Sequence, residues 1–455
     1  KNLYASALFM QLPFLAWGFW MNKGSRRILF GIAVTATLIM LLLLSTRAVW
    51  MGTLVAGFSM AAVLILKSNQ FGLPRKFRLY SSVAILTVII AGGVFVAANQ
   101  SSSEFTVADR FRSIFDPEAS NNRYRLNVWE ASLEMWKEEP VFGVGSGNWK
   151  VRIPPYFYQY NFNKEQLNWF RPHNDFIWVL SEKGVAGFLA FIALFVVSVI
   201  YLFRIINRSG DKNYKILSLL LGGGLTGYLA ISFFDFPLER IYHQTLLAIW
   251  LATIIYLQQI SGRQTNEPVR SGKYQSGWSL FFGAILLWAS IYSYNATQLE
   301  VVVKKAQVAK DEARWPELFA IASTIPTRFR DIDSQVTPVH YYHGLAKEHM
   351  KQYNDAEEYY LQALEEHPTK IQVINNLGLV YFYKDELEQS KKYLTMALEI
   401  LPGYYEALVN LSAVYAKEGN FSESLKYLRR VPKERWDERF YQREKVLLGL
   451  IEKDS

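Results

Sequence analysis

The chain contains no cysteine, which excludes a disulfide framework and any cysteine-ligated zinc or iron-sulfur centre. Glycine and proline are modest, at 27 and 15 of 455 residues in a chain that is 51% hydrophobic, so neither a collagen-like repeat nor general disorder fits. Residue 1 is lysine and no charged leader precedes the first apolar run. That run is therefore not read as a signal peptide, and further sequence is expected upstream. Charge is scarce in the first two thirds: residues 1–298 carry 42 of the 89 Lys, Arg, Asp and Glu side chains, and residues 299–455 carry 47. The chain is two chemically different objects.

In residues 1–298 the apolar runs approach or reach the roughly 20 residues that span a bilayer. They are Leu3 to Met21, Ile28 to Leu44, Ala48 to Leu66, Leu79 to Ala98, Val185 to Phe203, Ile216 to Phe234, Ile241 to Leu257 and Trp278 to Tyr294, which predicts eight spans. Alternate loops (22–27, 67–78, 204–215 and 258–273) hold fourteen Lys or Arg, whereas the two other short connections hold only Arg47 and Arg240. Basic loops stay on the cytoplasmic side. The segment 99–173 and everything after residue 298 are thus expected outside the cytoplasm, in the periplasm of a diderm bacterium. The net charge of +9, which by itself would also suit nucleic acid, becomes a sign of topology.

Residues 299–455 read as charged amphipathic helices with a 34-residue self-similarity. Gly344, Gly378 and Ser412 share one register, as do Ala356, Ser390 and Ser424, then Tyr360, Leu394 and Leu428, then Ala363, Ala397 and Val431. Pro368 and Pro402 close two units, and Trp436 stands at the third proline position. This resembles tetratricopeptide repeats, in which small residues let paired helices approach and large ones fill the gap. The expected fold is all-α: a polytopic helical membrane domain (1–298) with a large extracytoplasmic loop (99–173), then a soluble helical solenoid (299–455).

The loop holds the candidate chemistry. Leu126, Trp129, Leu133 and Trp136 fall on one helical face, which suits a helix lying in the headgroup layer. Arg123 and Arg125 stand near its start, where free backbone N–H groups also favour an anion; the alternative is ordinary anchoring to lipid phosphates. The run Phe142-Gly-Val-Gly-Ser-Gly-Asn148 follows no expected strand, so it reads as a tight turn and not as a nucleotide loop. In Arg171-Pro-His-Asn-Asp175 a histidine stands at the membrane border, where it is either a general base or a capping residue. Arg47, between two spans, either faces an anionic ligand or snorkels to the surface. The aromatic stretch Tyr156 to Phe170 suits an interfacial belt or sugar stacking. Asp235 either orients a basic partner or ends a helix.

Taken together, Ser45-Thr-Arg-Ala48, Arg125-Leu-Asn-Val-Trp129, Pro140-Val-Phe-Gly-Val-Gly145, the His173-Asn174 pair before Gly184 to Gly187, and Ser232-Phe-Phe-Asp-Phe-Pro-Leu238 resemble the O-antigen ligase and polymerase superfamily over roughly residues 40–258. The resemblance implies transfer of a glycan from an undecaprenyl-pyrophosphate carrier to an acceptor hydroxyl, such as one on lipid A core, outside the inner membrane and without metal, nucleotide or other cofactor. It implies His173 as the base and Arg125 and Arg47 as pyrophosphate-holding residues. Arg123, Arg171, Asn174 and Asp235 are further candidates for substrate binding. A polymerase or a protein O-glycosylating enzyme on the same scaffold stays open, as does a non-enzymatic scaffold that recruits envelope proteins through its repeats. A transporter is disfavoured, because no pair of interrupted helices recurs in matching halves.

Overall fold

The apolar runs become long helices because a segment in lipid must satisfy its own backbone hydrogen bonds. The computed structural model describes residues 2–44, 46–74, 76, 120–157, 171–261, 275–325, 332–333 and 336–454. Among the described residues the chain is helical, with no strand beyond one isolated bridge between Ile332 and Pro338. Two compact units partition it: residues 1–149 with 170–269, and residues 150–169 with 270–455.

The first unit contains α1 (Asn2–Met21), α2 (Gly24–Leu44), α3 (Arg47–Leu66), α4 (Ser120–Glu138), α5 (Asp175–Arg208), α6 (Lys212–Phe234) and α7 (Ile241–Ser261). Helices α2, α3, α5, α6 and α7 are long and apolar enough to cross a membrane. The expected span Leu79 to Ala98 lies outside the described residues, as do Tyr158, Tyr160, Phe162 and Trp169.

Small residues set the close packing of α3 on α6. A Cβ on Gly52 would meet the Gly227 carbonyl oxygen at 2.8 Å, and one on Gly227 would meet the Gly52 oxygen at 2.6 Å. Backbones that approach this closely replace the hydrophobic driving force that lipid removes. A hydrogen bond between the Ser59 and Thr226 hydroxyls (2.7 Å) adds a polar tie lower on the same pair. The pairing sets the start of α3 and the end of α6 at one end of the bundle.

Helix α5 has 34 residues, about 50 Å at 1.5 Å per residue and more than one bilayer crossing needs. It is broken at Gly184, where φ is 61° and ψ is −169°. The glycine turn after α4 docks into this break. Val144 and Gly145 donate to the carbonyls of Ser181 and Glu182 (3.0 and 2.9 Å), and Val185 and Ala186 donate to those of Pro140 and Val141 (2.9 and 3.1 Å). Trp149 closes the turn, its indole donating to Ser132 Oγ (3.0 Å) and its backbone N–H to Glu182 Oε1 (3.2 Å).

Helix α4 departs from the expected headgroup helix. Its buried stripe is Val128, Ala131, Ser132 and Met135, whereas Leu126 is 47% exposed. Trp129 belongs to the protein contact, donating from its indole to the Pro172 carbonyl (2.8 Å) and meeting the Phe233 ring edge-on. The docked turn holds α4 beside α5, and the buried stripe includes the small residues Ala131 and Ser132.

The second unit begins with α8 (Gln275–Asp311), whose first part exposes Ile285, Leu287, Trp288 and Ile291. Its last turns bury Leu299, Val303, Ala306 and Ala309 against α9 (Trp315–Ala322) and α10 (Val339–His349). The repeats follow as α10 with α11 (Tyr353–Glu366), α12 (Ile371–Tyr383) with α13 (Leu387–Ile400), and α14 (Tyr405–Lys417) with α15 (Phe421–Arg429), then α16 (Glu438–Asp454). The register read from the sequence is the packing register. Tyr360 lies against Gly344 and Leu394 against Gly378, and the Ser390 and Ser424 hydroxyls donate to the carbonyls of Gly378 and Ser412 (both 2.7 Å). Trp436 donates to the Val431 carbonyl (2.9 Å) and closes the third pair. Residues 150–157 group with this unit, where the Thr369 hydroxyl donates to the Val151 carbonyl (2.9 Å).

Candidate functional site

Four stretches of the first unit bring polar side chains to the end of the bundle where α3 and α5 begin and α6 ends. Arg47 opens α3, Arg125 lies in the first turns of α4, Arg171 to Asp175 lead into α5, and Asp235 caps the end of α6. After Asp235 a tight turn at Pro237–Glu239 delivers Arg240 to the start of α7.

His173 is held from both sides. Its φ is +54°, a left-handed backbone uncommon in any residue with a side chain. Pro172 before it receives the Trp129 indole hydrogen bond. Asn174 after it caps α5, its side-chain oxygen accepting from the N–H groups of Phe176 and Ile177 (2.9 and 3.2 Å). Asn174 is therefore a helix cap through its oxygen, while its buried Nδ2 meets no acceptor among the described residues. Asp175 Oδ2 accepts from the Leu238 N–H (3.0 Å), which ties the start of α5 to the turn before α7.

The Phe236 ring is the centre of the cluster. The Arg171 and Arg240 guanidiniums lie 4.4 and 4.5 Å from its centroid, and the His173 imidazole meets it edge-on at 4.7 Å. An aromatic face attracts cations and so holds two like charges near one histidine. Asp235 offsets them: it is buried, and its Oδ1 lies 3.7 Å from Arg240 Nη2. Glu239 pairs with Arg171.

This setting shifts the titrations. Burial lowers His173 to about 4, helped by the positive charges of Arg125, Arg171 and Arg240, so the imidazole is neutral at pH 7. Burial lowers Arg125 as well, with Asp235 opposing and Arg47 adding to the effect. Arg171 falls to about 10, chiefly by burial and the neighbouring Arg240, and stays cationic at neutral pH. Burial raises Asp235 against the pull of Arg240, Arg125 and Arg171.

Arg47, Arg125, Arg171, His173, Asn174 and Asp235 thus share one end of the unit, and Arg125 couples electrostatically to both Arg47 and Asp235. Arg123 differs: its side chain is exposed, and the cations acting on His173 are Arg125, Arg171 and Arg240. The sequence reading missed Phe236 and Arg240. Arg240 carried a usable signal, since it and Arg47 are the two basic residues that break the loop charge bias.

The motif residues that met in this cluster fall largely within one matched segment: residues 32–192 match the O-antigen ligase family. The match covers about a third of the chain. Residues 339–370 and 371–403 match tetratricopeptide repeats. An uncharacterized protein of Haemophilus influenzae (strain ATCC 51907 / DSM 11121 / KW20 / Rd) is 24% identical over 199 residues, which is 42% of this chain and 47% of that relative. The chain therefore spans about half the length of that curated relative. A solved structure, MamA MSR-1 C2, is 15% identical with a TM-score of 0.27, covering 35% of this chain and 99% of its own. The ligase match ends at residue 192, so Asp235, Phe236 and Arg240 lie beyond it. They join the matched segment through the Phe236 contacts and the Asp175 to Leu238 hydrogen bond.

Proposed function

We propose that this membrane protein is a glycosyltransferase of ligase type, which moves a preassembled glycan from an undecaprenyl-pyrophosphate carrier to an acceptor hydroxyl. The observation that carries the reading is a histidine gathered with arginines around one aromatic ring at the end of a membrane helix bundle. Attack at an anomeric carbon requires removal of the acceptor proton and stabilisation of the departing pyrophosphate. His173 accepts the proton at a ring nitrogen. Arg125 and Arg47 hold the pyrophosphate oxygens, and Arg171 assists them. The carrier's tail stays in lipid while its anionic head meets these arginines. The side of action is extracytoplasmic, at a bacterial inner membrane, because the basic loops lie at the other ends of the spans.

The test is an assay of the purified full chain with lipid-pyrophosphate-linked glycan and candidate acceptors, read by product analysis. Glycosylated lipid supports a ligase, a lengthened carrier-linked glycan a polymerase, and glycosylated protein an O-oligosaccharyltransferase. No product from any acceptor, with envelope proteins retained by the repeats, would favour a scaffold.

Two further results follow from the same reading. Arg125→Lys keeps the charge and loses the planar fork, so KM for the carrier should rise roughly tenfold, the equivalent of one charge-assisted hydrogen bond; an unchanged KM removes Arg125 from the pyrophosphate site. The active form of His173 is neutral, present above about pH 4 and lost as pH falls through that value. The acid limb of kcat/KM should therefore lie near pH 4 and not near 6.5. Bound pyrophosphate offsets the arginine charges, so the limb of kcat should lie at higher pH than that of kcat/KM. Coincident limbs at 6.5 would exclude this coupling.

A further inference from the structure

We propose that Arg240 is a phosphate-binding residue of this site, donating from Nη1 to a non-bridging oxygen of a lipid-linked diphosphate. The inference rests on the glycosyltransferase reading and names a ligand contact that neither the ligase segment nor the motif residues assign.

An arginine carries five N–H donors, and a buried donor of a charged group without an acceptor is costly. Nη1 of Arg240 is buried and meets no acceptor among the described residues. Among the described residues Nη2 has the 3.7 Å approach to Asp235, an ion pair too long for a hydrogen bond. The side chain is nonetheless fixed. Its guanidinium lies 4.5 Å from the Phe236 centroid, and its backbone N–H donates to Pro237 (3.1 Å) while its carbonyl accepts from Gln244 (3.0 Å). Phe236 also touches His173, so the open donor belongs to the histidine's neighbourhood. Arg171, on the same ring, is already engaged by Glu239. A second buried donor, Asn174 Nδ2, lies one residue from His173 and also meets no acceptor among the described residues.

Two phosphates offer more oxygens than the fork of one arginine can bind. A cluster in which Arg240 joins Arg47 and Arg125 fits a diphosphate better than a monophosphate. Arg240 is expected to contribute to that distinction, because removing it leaves one phosphate with fewer partners.

The test measures binding of undecaprenyl diphosphate and undecaprenyl monophosphate to the full chain in lipid nanodiscs. The wild type should prefer the diphosphate. Arg240→Gln should weaken diphosphate binding at least tenfold and narrow the preference, whereas Arg171→Gln should act less. Arg240→Lys keeps the charge facing Asp235, so it provides a folded comparison if the glutamine variant is unstable; it should bind the diphosphate more weakly than the wild type. Wild-type selectivity in Arg240→Lys, or in a folded Arg240→Gln, overturns the inference while leaving the glycosyltransferase reading intact. A wild-type chain that binds neither carrier and transfers no glycan overturns both.

Discussion

Replacing His173 with alanine is expected to lower glycan transfer by roughly 10²- to 10⁴-fold, the usual contribution of a positioned general base. Carrier binding should change little, because the arginines remain. The left-handed backbone at this position calls for a second variant, since alanine at a φ of +54° adds strain of its own. Asparagine tolerates that conformation and cannot serve as the base. His173→Asn should therefore lose transfer as fully as His173→Ala while melting closer to the wild type. Transfer retained by both folded variants would remove His173 from the reaction. Transfer lost together with carrier binding would instead assign it to holding the substrate.

Gly184→Ala is expected to be the most destabilising single-methyl change in the first unit. The φ of 61° and ψ of −169° lie in a region open almost only to glycine, at a cost of roughly 1–3 kcal/mol for another residue. A Cβ there would also meet the Val141 carbonyl oxygen at 2.2 Å. The turn must then lift away, and the four hydrogen bonds between it and α5 contribute about 1 kcal/mol each. Since α4 carries Arg125 and Trp129, the same change should raise KM for the carrier. Gly210→Ala, where nothing lies within 4 Å of the added carbon, is the matched control. Equal melting temperatures of the two variants in detergent would show that the docked turn does not hold the unit together.

How much of this was legible in the sequence depends on what kind of physics each feature expresses. The repeat register was readable at Gly344, Tyr360 and their successors, because size alternation in packed helix pairs repeats along the chain. The break at Gly184 was not, because apolar residues follow it and a helix pattern runs through it; only the carbonyls of a distant turn explain the glycine. The face of α4 was misread for a related reason. Ala131 and Ser132 contribute little hydrophobic signal, yet they are fully buried, while the Trp129 and Trp136 stripe has the larger signal. Arg47 and His173 stood out as polar residues at the borders of apolar runs, and Arg125 as a cation near the start of an amphipathic helix. Phe236 did not, since one more aromatic residue in Phe233-Phe-Asp-Phe236 gives no sign that it gathers two arginines and a histidine.

The glycine contact between α3 and α6 has a mechanical consequence. Helices whose backbones touch at Gly52 and Gly227 resist sliding past one another. A bilayer thicker or thinner than their apolar lengths is then accommodated by tilting the pair as one body. Arg47 and Asp235, at the adjoining ends of that pair, would be carried through the headgroup layer together, and their spacing would be insulated from changes in lipid composition.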